Sequence, residues 1–151
     1  MTVSVPLADN TVYQWRTRAY DGDRYGPWMS TASFTVHVSV SSVNATVNFD
    51  PDTLNQKSNG QWITVYIELP AGYAPANIAI ASIRLEGTIP AETRPTALGD
   101  YDSDGIPDLM VKFRRSDVIA VLPAGEHVQV HVTGTVAGTS FEGVDIIKVI
   151  H

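Results

Sequence analysis

Cysteine is missing from all 151 residues. The chain therefore has neither a disulfide nor a thiolate nucleophile, and cysteine usage says nothing of its redox compartment. Basic residues are few: ten Lys and Arg stand against sixteen Asp and Glu, for a net charge of −6. They are also dispersed, which argues against nucleic acid or an anionic membrane as partner. Apolar runs are short and interrupted, so no segment reads as a transmembrane helix. Helical periodicity is nearly absent. No basic start with an apolar block marks a secretory leader; Met1 is followed by Thr-Val-Ser-Val-Pro, and the start reads as cut from a longer protein. What is present is an ordinary globular composition, 44% hydrophobic, long enough for one good-sized domain or for one domain and a fragment of another.

Alternation of apolar and polar residues recurs along the chain, bounded by Gly, Pro, Asn and Asp. Ile63, Val65, Ile67 and Leu69 alternate with Trp62, Thr64, Tyr66 and Glu68. Val128, Val130 and Val132 do so with His127, Gln129, His131 and Thr133, and Val43, Ala45, Val47 and Phe49 form a third run. A period of two with turn residues between the runs predicts an all-β fold, an antiparallel β-sandwich. Two connections share a turn, Leu69-Pro70-Ala71-Gly72 and Leu122-Pro123-Ala124-Gly125, in which Pro presets φ and Gly relieves the exit. One helical turn is expected at Ser116 to Leu122, with Ser116 as N-cap and Asp117 on the positive end of the dipole.

The segment Gly99 to Val111 carries the strongest chemical signal. Asp100, Asp102 and Asp104 alternate, Gly105 follows and Asp108 closes the run. Four carboxylates so close repel one another unless a cation sits among them, and oxygen-only ligands on a flexible loop suit Ca²⁺ better than Mg²⁺. Asp100, Asp102 and Asp104 take positions 1, 3 and 5 of a calcium loop, Gly105 position 6, the Ile106 carbonyl position 7 and Asp108 position 9. Position 12 is Val111 rather than the bidentate Glu of an EF-hand, and Leu109, Val111 and Phe113 then alternate as a strand. The loop resembles the DxDxDGxxD calcium loops of integrin α-subunit repeats and type 3 thrombospondin repeats. The competing reading is an acidic, solvated hairpin turn. Asp50-Pro51-Asp52 has two readings as well, a further reach toward the cation or an Asp-rich turn.

The first forty residues differ in kind. Leu7, then Tyr13, Trp15, Thr17 and Ala19, then Asp21-Gly22, Gly26-Pro27-Trp28 and Ala32-Ser33-Phe34-Thr35-Val36 resemble the end of a fibronectin type III domain over residues 5–38. The Leu7 to Tyr13 spacing is similar to that family's tyrosine corner, in which the Tyr hydroxyl bonds a nearby backbone group. The resemblance implies strands F and G of a seven-stranded sandwich at 1–41, with Trp28 where the family keeps a semi-buried aromatic. It leaves Tyr13, Trp15, Phe34 and Val36 in need of cover. Residues 42–151 then form an immunoglobulin- or fibronectin-like β-sandwich module of seven or so strands. In layout it resembles the modules that follow fibronectin type III repeats in surface proteins of bacteria and archaea, which implies an extracellular or cell-surface location.

Catalytic signals are weak. His127 and His131 would share a metal on a helix, but on a strand they stand about 13 Å apart. His37 falls in another alternating run and His151 is the last residue. No serine sits in a Gly-x-Ser-x-Gly elbow. Glu68, Glu86, Glu92, Glu126 and Glu142 are scattered, whereas glycosidases need two carboxylates about 5–10 Å apart across a cleft. Tyr20, Tyr25 and Trp28, or Trp62, Tyr66 and Tyr73, raise sugar stacking as an alternative to packing, and Asn44-Ala45-Thr46 is a glycosylation sequon. The sequence thus predicts a non-enzymatic structural or adhesive module stabilised by Ca²⁺, partnered by other copies of itself or by neighbouring β-domains of a larger surface protein. Self-assembly through the hairpin would give a filament or surface layer. The alternative is a carbohydrate-binding module of a secreted multidomain enzyme.

Overall fold

The computed structural model describes Ala8, residues 11–36 and residues 42–151, so Leu7 and His37 lie outside the described residues. The chain divides into two compact units, Met1–Val40 and Ser41–His151, and all its described sheets are β structure of the expected class.

In the first unit, β1 (Thr11–Trp15) pairs antiparallel with β2 (Ala32–Val36), Tyr13 opposite Phe34 and Trp15 opposite Ala32. This register sets Tyr13, Trp15, Phe34 and Val36 on one face, and the Tyr13 and Phe34 rings stack with centroids 5.8 Å apart. The Ala8 N–H donates to the Tyr13 hydroxyl at 2.7 Å. Beyond the strands the hairpin narrows to a tip where Asp21 Oδ1 accepts the N–H groups of Asp23 and Arg24. Those bonds favour the carboxylate and hold the Asp21 carboxyl below its usual range. Tyr20, Tyr25 and Trp28 are exposed rather than packed in a core. Arg16 lies over the Trp28 ring and Arg18 over both Trp28 and Tyr25, 3.8–4.5 Å from the centroids, so guanidinium groups cover these faces.

The second unit is a sandwich of two sheets. One runs β4 (Thr46–Asp50), β6 (Trp62–Glu68), β10 (Asp108–Arg114), β9 (Glu92–Gly99). The other is built on a long hairpin, β11 (Gly125–Val136) and β12 (Thr139–Ile150), joined by Ala137 and Gly138, both at positive φ as a two-residue hairpin requires. Short strands extend it: β7 (Arg84–Leu85) and β8 (Ile89–Pro90) on the β11 side, β3 (Val43–Asn44) and β5 (Thr53–Asn55) against β12. These last two pairings are parallel, the exceptions in an otherwise antiparallel structure. The alternating residues meet in the core as their period demands: Phe49, Ile63, Val65, Ile67, Val111 and Phe113 from one sheet against Val130, Val132, Phe141 and Ile147 from the other. Their partners Thr64, Tyr66, Glu68, His127 and His131 turn outward.

Two local expectations need correction. Helix α1 spans Arg115–Val121, starting one residue early, and Ser116 is not its cap; the Ser116 hydroxyl instead donates to Asp117 Oδ1. The cause is Arg115, buried and anchored by its backbone N–H to the Gln61 carbonyl and by Nη2 to the Asn55 carbonyl. The two Leu-Pro-Ala-Gly turns also diverge. Gly72 adopts positive φ, whereas Gly125 has already entered β11.

Candidate metal centre

Gly99 ends β9 and Asp108 begins β10, and the two residues pair directly across the ladder. The acidic loop is thus a hairpin connection whose base is fixed by the sheet. Asp108 also pairs with Glu68, which pairs with Thr46. One row across the sheet therefore reads Thr46, Glu68, Asp108, Gly99, and it delivers Glu68 to the loop.

Within the loop, Asp100 Oδ1 accepts the Asp104 N–H at 3.0 Å and Oδ2 accepts the Gly105 N–H at 3.0 Å. Asp102 Oδ1 takes a second, longer bond from Asp104 N–H, and Asp104 Oδ1 accepts from Ile106 N–H at 2.7 Å. These bonds fold the chain around its own carboxylates, which Gly105 permits at φ 91° and Ser103 adopts at φ 66°. Asp108 is 5% exposed, and its Oδ2 accepts the Tyr101 N–H at 2.9 Å.

The carboxylates gather in two groups. Oxygens of Asp100, Asp102 and Asp108 lie within 4.8 Å of one another, and so do those of Glu68, Asp102 and Asp104. Asp102 belongs to both. Asp104, expected beside Asp100 and Asp108, groups instead with Glu68, and the Ile106 side chain is exposed. Glu68 is the residue that sequence reasoning counted only among scattered glutamates, because strand register alone places it here. Asp50 and Asp52 fall in neither group. An all-oxygen set of this kind matches a hard divalent ion.

Electrostatics bears on Glu68 directly. Burial pushes its carboxyl above the usual range, and Asp104, then Asp102 and Asp108, push it the same way against the opposing Thr46 hydrogen bond. A carboxyl raised in the folded state stabilises the fold below its unfolded pKa and loses that contribution as pH rises through the folded value. Glu68→Gln should therefore make the ion-free protein more stable than the parent at neutral pH, with the difference closing on acidification. Urea denaturation in chelator across the carboxylate range checks this; a variant less stable at neutral pH contradicts it.

Among the described residues, no histidine joins a candidate metal group. His127 and His131 are exposed on β11, and the His131 backbone N–H is held by Glu86 Oε1. Glu92 pairs with Arg114 at 2.8 Å and Glu126 with Lys148 at 2.8 Å. No protein-family model matches the chain, and no curated protein matches it.

Proposed function

We propose that the Ser41–His151 unit is a non-catalytic β-module of an extracellular or cell-surface protein, stabilised by one Ca²⁺ in the Asp100–Asp108 loop. The observation that carries this reading is the convergence of Asp100, Asp102 and Asp108 within 4.8 Å on a loop already folded around the Asp100 carboxylate. Asp102, shared by both acidic groups, is the central ligand, and Glu68 adds a carboxylate where Val111 at position 12 offers none. Affinity in about the 10⁻⁴–10⁻³ M range, typical of extracellular modules, suits a millimolar-calcium medium. Calorimetric titration should give one ion per chain, and Asp102→Ala should remove the binding heat. Saturable binding unchanged by Asp102→Ala would refute the assignment.

The first unit fits the last two strands of a fibronectin type III domain, supported by the Tyr13 hydroxyl bond to Ala8 N–H and by the residue order that bears the resemblance. A two-stranded sheet is marginal alone. Trp15 and Phe34 on its apolar face remain 49% and 45% exposed, and exposed strand edges accept added strands. The partner is a second copy or a neighbouring β-domain of a larger surface protein. Sedimentation of the full chain beside a version starting at Ser42 tests this: association should disappear with the hairpin. Two monomers of equal stability would remove the hairpin from any assembly role.

A further inference from the structure

The cavity beside the acidic loop shares Glu68, Asp102 and Asp108 with the proposed cation site, but its floor extends past them. Thr46 opposite Glu68 and Asn48 opposite Tyr66 form that floor on the outer face of the sheet. Tyr101 and Asp102 rise from the loop as its wall. The cavity holds about 170 Å³, below the ~300–1,000 Å³ of sites for drug-sized ligands and comparable to five or six waters at ~30 Å³ each. The Tyr66 and Tyr101 rings meet at 4.5 Å with planes 41° apart, forming an aromatic corner. Among the described residues, neither the Asn48 side-chain amide nor the Tyr66 hydroxyl bonds another protein group.

We propose that this cavity binds a single neutral sugar ring. The ring's C–H groups, slightly positive, pack on the negative faces of the Tyr66–Tyr101 corner. Its hydroxyls exchange hydrogen bonds with the Asn48 amide and donate to Glu68 and to the Thr46 hydroxyl oxygen, whose own proton goes to Glu68 Oε1. The carboxylates of Glu68, Asp102 and Asp108 turn away phosphates and sugar acids. A methylated ammonium needs rings standing around it, and these two rings are packed against each other. For one feature the proposal rests on the cation reading: Tyr101 stands between Asp100 and Asp102, so an ion that fixes the loop also fixes this ring, and sugar binding is tighter with calcium.

The test is an amide-resolved NMR titration of the full chain with D-glucose, D-galactose, D-mannose and N-acetyl-D-glucosamine, with tetramethylammonium as the cationic control. At least one sugar should shift Asn48, Tyr66 and Tyr101 saturably with Kd about 1 mM, the range open to one small ring. Tyr66→Ala should weaken it about tenfold, with melting as the check on folding, and so should Asn48→Ala, an exposed substitution that leaves the core untouched. The proposal is overturned by no saturable shift with any of the four sugars, by tetramethylammonium binding in their place, or by Asn48→Ala binding as well as the parent. Repeating the titration in chelator separates the two readings. Sugar binding beside a calcium-insensitive melting curve keeps the cavity and discards the ion; a calcium-raised melting curve without sugar shifts does the reverse.

Discussion

Replacing Phe113 by alanine is expected to destabilise the Ser41–His151 unit by about 3–5 kcal/mol, the range for emptying a large aromatic from a packed core. Phe113 is fully buried on the inner face of β10, opposite Ile63 of β6. Tight packing leaves the neighbours little freedom to close the cavity. The loss matters for the acidic loop because β10 begins at Asp108. On the proposed calcium reading, a chain this weakened should bind the ion more loosely at its melting edge, since a ligand of the folded form alone is lost on unfolding. Urea denaturation with an unchanged m-value and a lowered midpoint is the expected signature; a cost below about 1 kcal/mol would mean that the strand is not a core element.

Asp108→Ala should give the second large effect, and one that depends on the medium. The Asp108 carboxylate is buried and accepts the Tyr101 N–H, so its loss leaves that donor without its partner at about 1–3 kcal/mol. If calcium binds as proposed, it should at ten times Kd add roughly 1.4 kcal/mol to the parent and nothing to the variant. In chelator the same substitution relieves repulsion with Asp100 and Asp102, so its cost should shrink. Melting both proteins in both media isolates the difference. Equal costs in calcium and in chelator would leave Asp108 as a backbone partner with no ionic role.

Much of the sandwich was readable because its strands are half-buried. Ile63, Val65 and Ile67 alternate with Thr64, Tyr66 and Glu68, and that period alone assigns each residue to core or solvent. Strands of two or three residues, such as Val43–Asn44, Arg84–Leu85 and Thr53–Asn55, are too short to display a period. Their existence follows from what β11 and β12 offer as edges, which no local pattern encodes. Gly143 illustrates the same limit. It looks like a weak point in β12, yet a Cβ there would run into the Val47 side chain of β4 and come within 2.6 Å of the Ala45 carbonyl oxygen, so the glycine answers to a chain segment far away in sequence.

The candidate site divides along similar lines. Asp100, Asp102, Asp104 and Asp108 were legible as a group because they are local and their spacing is chemical. Glu68 was not, because forty residues separate it from Asp108 and only the row through β4, β6 and β10 joins them. Tyr101 carries no signal in the sequence beyond its place between two aspartates, yet its ring closes the corner with Tyr66. Of the aromatic sets that did stand out, Trp62, Tyr66 and Tyr73 contribute only Tyr66 to the cavity, and Tyr20, Tyr25 and Trp28 are bridged by Arg16 and Arg18. The helix at Arg115 started early for a tertiary reason, a buried guanidinium reaching Asn55, which overrode the capping preference of Ser116.

Thermal melting of the full chain in millimolar calcium and again in excess chelator tests the central claim most directly. Calcium at ten times Kd should raise the melting temperature of the Ser41–His151 unit by several degrees, as roughly 1.4 kcal/mol of linkage implies, and Asp102→Ala should abolish that rise. Superimposable curves in the two media would contradict the account.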